Sequence, residues 1–264
     1  MARASCLGPA GSYSELAAKR FLEDGGEVVL CRSFSEVISL CERGEVDFAV
    51  IPIENTIQGG VLQNLDLLEK ADVFAVQELV LGIDHRLAYL AGVNIKDITR
   101  VYSHEQAIGQ CTAFLREKLP EAQCIFTSST AESLSKLDAH SAGIVGSHVF
   151  AEGVELSREN IADEKKNYTH FFKLVKRGEE ALRGKRLFFC AVCKHEPGSL
   201  VHLLGIFAGY GKNMTRIESR PIKNVLGEYR FFIELEGDGS DPVVREMLKK
   251  ARDYCLQFRI LGNY

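Results

Sequence analysis

Over the first two thirds of the chain, short apolar runs alternate with amphipathic stretches. Runs of strand length fall at residues 4–7, 27–30, 48–53, 73–83, 100–102, 124–126 and 142–145. Between them the spacing predicts helices over 13–22, 36–42, 60–68, 107–119 and 131–137. In the third of these, Val61, Leu62, Leu65 and Leu68 form one apolar stripe. Ser33 with Glu36, and Ser129 with Glu132, have the spacing of a capping box. Such alternation predicts an α/β layered fold with largely parallel sheets. Residues 73–90 interrupt the rhythm and read as a crossover between two similar lobes. A late strand at 169–175 would return to the first lobe, leaving a ligand cleft between the two.

The last third changes pattern. Residues 187–194, 200–208, 215–221, 228–234, 242–254 and 257–260 read β-α-β-β-α-β, the order of a ferredoxin-like sandwich. Asp238-Gly239-Ser240-Asp241 is a clear break, and Pro242 suits the first turn of a helix. Small domains of this kind pair through edge strands, which predicts a homodimer or homotetramer. The charge changes at the same place. Residues 185–264 carry 13 Lys/Arg against 9 Asp/Glu, whereas residues 1–184 carry 19 against 27. The polar stretch 176–184 therefore reads as a linker. It separates a first domain at 1–180 from a second at 185–264. Within the first, one lobe covers about 1–75 plus 168–180 and the other about 76–167.

Composition removes several classes of function. The chain has 264 residues, 46% hydrophobic and 26% charged, with a formal charge of −4, so nothing suggests a nucleic-acid partner. No apolar run approaches the ~20 residues of a membrane span. The first residues lack a secretory pattern, which predicts a cytoplasmic protein. Eight cysteines, mostly in apolar runs, read as core thiols. Cys190 and Cys193 lie three apart on a strand, so they face opposite ways and cannot share an ion. The seven histidines lack His-x-x-x-His spacing, so no metal site is expected.

Candidate chemistry sits in loops leaving strands. Gly8-Pro9-Ala10-Gly11-Ser12-Tyr13-Ser14 opens a helix, where backbone amides favour an anion, but it lacks a P-loop ending. Ile53-Glu54-Asn55-Thr56 before Gly59-Gly60, Ser103-His104-Glu105-Gln106 with Gln110 a turn beyond, and Thr127-Ser128-Ser129-Thr130 add polar groups. Each alone is explained by helix capping. Together they point to a small anion with several oxygens. On the returning strand, alternation puts Thr169 and Phe171 on one face and His170 on the other.

These motifs, with Pro52-Ile53-Glu54-Asn55-Thr56, Ser103-His104-Glu105-Gln106-Ala107 and Asn167-Tyr168-Thr169-His170-Phe171, resemble the prephenate dehydratase family over nearly the whole chain. Gly198-Ser199-Leu200-Val201 and Glu218-Ser219-Arg220-Pro221 resemble the phenylalanine-binding motifs of its ACT regulatory domain. The resemblance implies a two-lobed catalytic region like a periplasmic binding protein, then an ACT domain, and no cofactor. Thr169 matches the family's essential threonine. Asn55, Thr56, Ser103, Gln106, Gln110 and Phe171 become candidate substrate contacts. Gly198, Ser199, Leu200, Val201, Asn213, Met214, Glu218 and Ser219 become candidate contacts for phenylalanine as an allosteric ligand.

The implied reaction is physically reasonable for this residue set. Prephenate loses carbon dioxide and a ring hydroxyl, and aromatisation drives the step. A threonine hydroxyl is a poor acid, so it can serve only as a positioned donor in a dry cleft. The chain departs from the family pattern where Thr-Arg-Phe becomes Thr169-His170-Phe171, which removes a permanent fork donor. It also has Gln58-Gly59-Gly60 for Glu-Gly-Ser and Ser12-Tyr13-Ser14 for Thr-Phe-Ser. Two rival readings remain open: an arogenate dehydratase, and a non-catalytic aromatic-amino-acid sensor. Truncation near residue 184 is expected to abolish regulation while sparing basal activity, if the catalytic lobes stay soluble.

Overall fold

The computed structural model describes residues 1–23, 25–178, 183–222 and 227–264, so the expected linker lies partly outside the described residues. The predicted alternation builds two sheets, but both mix parallel and antiparallel pairs and are not largely parallel as expected. In the first, β1 (Arg3–Leu7), α1 (Tyr13–Leu22), β2 (Glu27–Cys31), α2 (Phe34–Glu42) and β3 (Phe48–Asn55) follow one another, and β1 pairs in parallel with β2 and β3. A short β4 (Gly59–Gly60) folds back on β3, followed by α3 (Leu62–Lys70) and β5 (Val73–Gly82).

The chain then enters a five-stranded sheet of β6 (His85–Leu90), β7 (Arg100–Ser103), β8 (Gln123–Phe126), β9 (Ser141–Gly146) and β10 (Val154–Leu156), in the order β10-β6-β9-β7-β8. Two helices, α4 (Glu105–Gly109) and α5 (Thr112–Lys118), lie between β7 and β8. β11 (Tyr168–Lys176) returns to the first sheet, antiparallel between β3 and β5. β5 keeps pairing with β11 as far as Gly82, so the passage between sheets falls at Ile83 and Asp84, not near residue 76.

Local chemistry explains the helix starts. Ser12, Ser33 and Ser129 accept from the amides of Glu15, Glu36 and Glu132 at 3.2, 3.2 and 3.1 Å. Each glutamate reaches back to the amide before that serine, namely Gly11, Arg32 and Ser128. The helix expected over 107–119 is broken at Gln110 and Cys111. The cause is distant in sequence. Asp163 takes the amides of Thr112 and Ala113 at 3.0 Å each and the Thr112 hydroxyl at 2.8 Å, capping a new helix there. The segment 131–136 is a 3-10 helix.

The C-terminal segment is β12 (Arg186–Val192), α6 (Ser199–Gly209), β13 (Met214–Pro221), β14 (Tyr229–Glu236), α7 (Pro242–Tyr254) and β15 (Gln257–Asn263), in the strand order β13-β14-β12-β15. The two faces of β12 serve different cores. Leu187, Phe189 and Ala191 pack with residues of α6 and α7, including Leu203, Phe207 and Met247. Phe188 and Cys190 join Phe172, Leu174 and Ala75 of the first sheet. Cys190 and Cys193 thus lie in separate clusters, on opposite faces.

The C-terminal strands extend the first sheet itself: β15 meets β5 at Gly262 and Ala75. A Cβ on Gly262 would stand 2.7 Å from that of Ala75, so the join needs glycine. Charge complements the seam, because the basic segment docks on acidic α3. Arg220 bonds Asp66 at 2.7 Å, Arg230 lies 3.1 Å from Glu69, and Arg259 donates to the Glu69 carbonyl at 2.7 Å.

One irregularity shapes the strand pair that carries Thr169. Thr169 faces Asn55 and His170 faces Glu54, but Phe171 faces Pro52, leaving Ile53 as the extra residue of a β-bulge. Pro52 has no amide hydrogen for the ladder, and the bulge falls beside it.

Candidate active site

Between the two sheets lies a cavity of about 340 Å³. Its walls are the loop opening α1, the ends of β3 and β11, the α4–α5 corner and the loop at 128–130. Thr169 sits half-buried on one wall. Its Oγ1 accepts a hydrogen bond from Asn55 Nδ2 at 3.0 Å. The same amide nitrogen reaches Asn167 Oδ1 at 2.7 Å and the Tyr168 carbonyl at 3.1 Å. Asn55 Oδ1 takes the amides of Ile57 and Gln58 at 3.0 and 3.1 Å, which fixes the side chain from both ends. With its oxygen engaged as acceptor, the Thr169 hydroxyl is free to aim its hydrogen at a guest in the cavity.

A line of hydrogen bonds continues across the cleft. Asn167 Nδ2 donates to Gln110 Oε1 at 3.3 Å, and His85 Nε2 lies 2.9 Å from the same oxygen. His85 is buried, and burial lowers its pKa. Neutral His85 then carries its hydrogen on Nε2, facing the Gln110 oxygen. Because the folded value is depressed, the stabilisation is fully present above the unfolded value of about 6.5 and is lost as pH falls toward the folded value. Denaturant midpoints should therefore drop on acidification, and His85→Gln should flatten that part of the profile.

Tyr13 ties the two halves at their passage. Its hydroxyl donates to the Asp84 carbonyl at 2.7 Å and accepts from the Asp84 amide at 2.8 Å. Burial, the largest influence, raises its pKa and keeps it protonated. His148 packs against its ring at 4.5 Å and reaches the Gly11 carbonyl at 3.0 Å. Among the described residues lining the cavity there is no lysine or arginine, so it offers amides, hydroxyls and imidazoles.

Five of the expected contacts meet here: Thr169, Asn55, Gln106, Gln110 and Phe171 all line the cavity. Two do not. Ser103 is fully buried within its sheet and donates to the Ile144 carbonyl at 2.7 Å, so its hydroxyl is already committed. Thr56 is exposed outside the lining, where its Oγ1 accepts the Tyr168 amide at 2.9 Å. Sequence reasoning missed His85 and the roles of Asn167 and Tyr13. Flanked by Asp84 and Arg86, His85 gave no signal in the sequence that it would be buried beside the cleft.

His170 looks the other way, as alternation predicts. Its Nε2 is 2.8 Å from Glu78 Oε2, and its ring meets Phe172 at 5.1 Å and Tyr264 at 6.4 Å. Glu78 is held below the usual carboxylate range by His170 first, with Arg186 and Arg216 adding to it. The missing family arginine therefore maps to the seam with the C-terminal strands, outside the cavity lining. His170→Gln should leave the substrate KM unchanged. A KM that rises tenfold or more in the variant would place the imidazole on the substrate.

The candidate regulatory residues are dispersed in a single chain. Ser199 and Leu200 line a second cavity of about 390 Å³ at the start of α6. Gly198 caps that helix at φ +83°, with open space around it, so backbone conformation and not crowding restricts the position. Val201, Asn213, Met214 and Ser219 are exposed, and Glu218 is half-buried near Gly60.

The family profile for prephenate dehydratase matches residues 4–179. The bifunctional chorismate mutase/prephenate dehydratase of Aquifex aeolicus is 33% identical over 261 residues, 98% of this chain and 72% of that protein. Among solved structures, the prephenate dehydratase of Arthrobacter aurescens in complex with L-Phe aligns with a TM-score of 0.87 at 29% identity, covering 99% of this chain and 90% of that one. GqqA, described as a novel type of quorum quenching acylase, aligns at 0.86 and 26% identity, covering 98% and 96%. A shared frame thus spans more than one described activity, and the site must decide the chemistry. Profile and sequence identity agree with the cleft: the chain belongs to the prephenate dehydratase family.

Proposed function

We propose that the chain converts prephenate to phenylpyruvate in L-phenylalanine biosynthesis, with Thr169 as donor to the departing hydroxyl. The observation that carries this is the 3.0 Å bond from Asn55 to Thr169, which leaves the hydroxyl hydrogen for the substrate. The carboxylate carbon–carbon bond breaks and its electron pair enters the ring. The ring carbon–oxygen bond breaks at the far side, and hydroxide leaves as water with one added proton. Thr169 polarises that oxygen as it departs, while Gln106, Gln110 and Asn55 orient the dianion. Aromatisation supplies the driving force, so the residues need no cofactor to hold electrons.

In this reading the two sheets are lobes like those of a periplasmic binding protein, and residues 185–264 are an ACT-type unit. Phenylalanine binds where two such units meet in a dimer or tetramer. Support comes from β13 as the edge of its sheet, from exposed Val201 in the first turn of α6 and from exposed Met214 at the start of β13. The α6 N-terminus suits the ligand carboxylate. No described helix is long and apolar enough to cross a membrane, and the proposal places the protein in the cytoplasm.

Purified chain supplied with prephenate should form phenylpyruvate. Phenylalanine formed from arogenate in preference would assign the related elimination, and no product from either would leave a sensor. Calorimetric titration should show phenylalanine binding that weakens prephenate binding reciprocally, by about 1–3 kcal/mol. An intact chain that ignores phenylalanine would remove the regulatory half of the proposal.

A further inference from the structure

Two thiols outside the cleft form a pair that the proposed reaction does not use. Cys193 follows β12, and Cys255 ends α7 just before β15. These strands pair antiparallel from Val192 and Gln257, and the Leu256 amide donates to the Val192 carbonyl at 2.8 Å. The two cysteines are thus diagonal neighbours where the ladder ends, and both pack in the same core cluster. The neighbouring Cys255 thiol holds Cys193 below the usual thiol range, and Cys193 with burial holds Cys255 above it.

Cys6 and Cys31 show what this pair is not. They sit on neighbouring strands but in different clusters, on opposite faces, and burial pushes both thiols up, to about 12 and about 11. Access also separates the two cases. Cys193 lines the 390 Å³ cavity, and Cys255 is half-exposed.

We propose that Cys193 and Cys255 form a reversible thiol–disulfide site that reacts with small-molecule disulfides. The steps balance. The Cys193 thiolate attacks one sulfur of the small disulfide and expels one thiolate. Cys255 then gives up its proton to that thiolate and attacks the Cys193 sulfur, expelling the second half. Two protein thiols become one disulfide, and one small disulfide becomes two thiols. Cys193 is the better first nucleophile, because thiolate character controls this chemistry. The bond would pin the exit of β12, from which Lys194, His195 and Glu196 hang as the cavity wall. In a reducing compartment the pair stays open, closing only as the disulfide pool rises.

The test uses the full chain, folded, with glutathione disulfide as the probe, followed by alkylation of remaining thiols and mass analysis. The expected product is a monomeric chain lighter by two hydrogens, with the Cys193 and Cys255 peptides linked, and dithiothreitol should restore it. Cys255→Ser should trap glutathione on Cys193, while Cys193→Ser should react far more slowly. Amide exchange over residues 194–198 should slow in the linked form. The proposal is overturned if the parent chain remains unlinked, retains glutathione, links other cysteines or cross-links between copies. Unchanged exchange in a linked chain would overturn the grip on the wall.

Discussion

Thr169→Ala should lower kcat by about 10²–10⁴, the usual contribution of a positioned proton donor, with a much smaller change in KM. In the proposed reaction the hydroxyl acts on an oxygen that gains charge only as its bond breaks, so the loss would belong to the transition state. Thr169→Ser keeps the hydroxyl but frees its rotation, because the β-branch that holds χ1 is gone. It should recover part of the rate. Asn55→Ala should fall between the two, since it removes the donor that engages Thr169 Oγ1 at 3.0 Å. Steady-state kinetics on prephenate give all three values. An alanine variant that turns over like the parent would reduce Thr169 to a strand residue.

Deleting residues 185–264 should leave no folded catalytic region, contrary to the expectation from sequence. Phe188, Cys190, Phe232, Leu261 and Tyr264 belong to the same cluster as Phe172, Leu174 and Ala75. Cutting them away would open the first sheet's core and strand the β5 edge where β15 joins it. A milder form of the same experiment is Phe172→Ala. That ring is fully buried, 5.5 Å from Phe188 and 4.6 Å from Tyr264. Its loss should cost about 3–5 kcal/mol, a large part of a typical total of about 5–15 kcal/mol. Denaturant unfolding should still be one transition, shifted to a lower midpoint. A soluble, active truncation would show that the seam is dispensable.

What could be read in advance follows the range of the forces involved. Strands such as β3 and β9 were legible because burial on both faces leaves an uninterrupted apolar run. The alternation at Thr169 and His170 was legible because period two is set by the backbone alone. The broken helix at Gln110 was not, because the cap is Asp163, 51 residues from Thr112 in sequence. Ser103 misled for a related reason: a hydroxyl beside a polar loop does not reveal that the neighbouring strand has already taken its hydrogen. The shared core stayed hidden too. Phe172 and Phe188 each fit a strand within its own unit, and only their packing shows that the units have one interior. The charge imbalance marks a boundary in the sequence and, in the fold, the docking of the two segments.

The bulge at Ile53 gives β3 something like a reading frame. Downstream of it, Asn55 meets Thr169 and Glu54 meets His170 on the opposite face. Inserting one residue ahead of Glu54 would shift the frame and bring its carboxylate opposite the hydroxyl. Glutamate only accepts, so it would take the hydrogen that asparagine leaves free, and the donor would become a spectator. A change of two residues restores the frame. Tolerance to length variation at this strand end should therefore depend on parity more than on size.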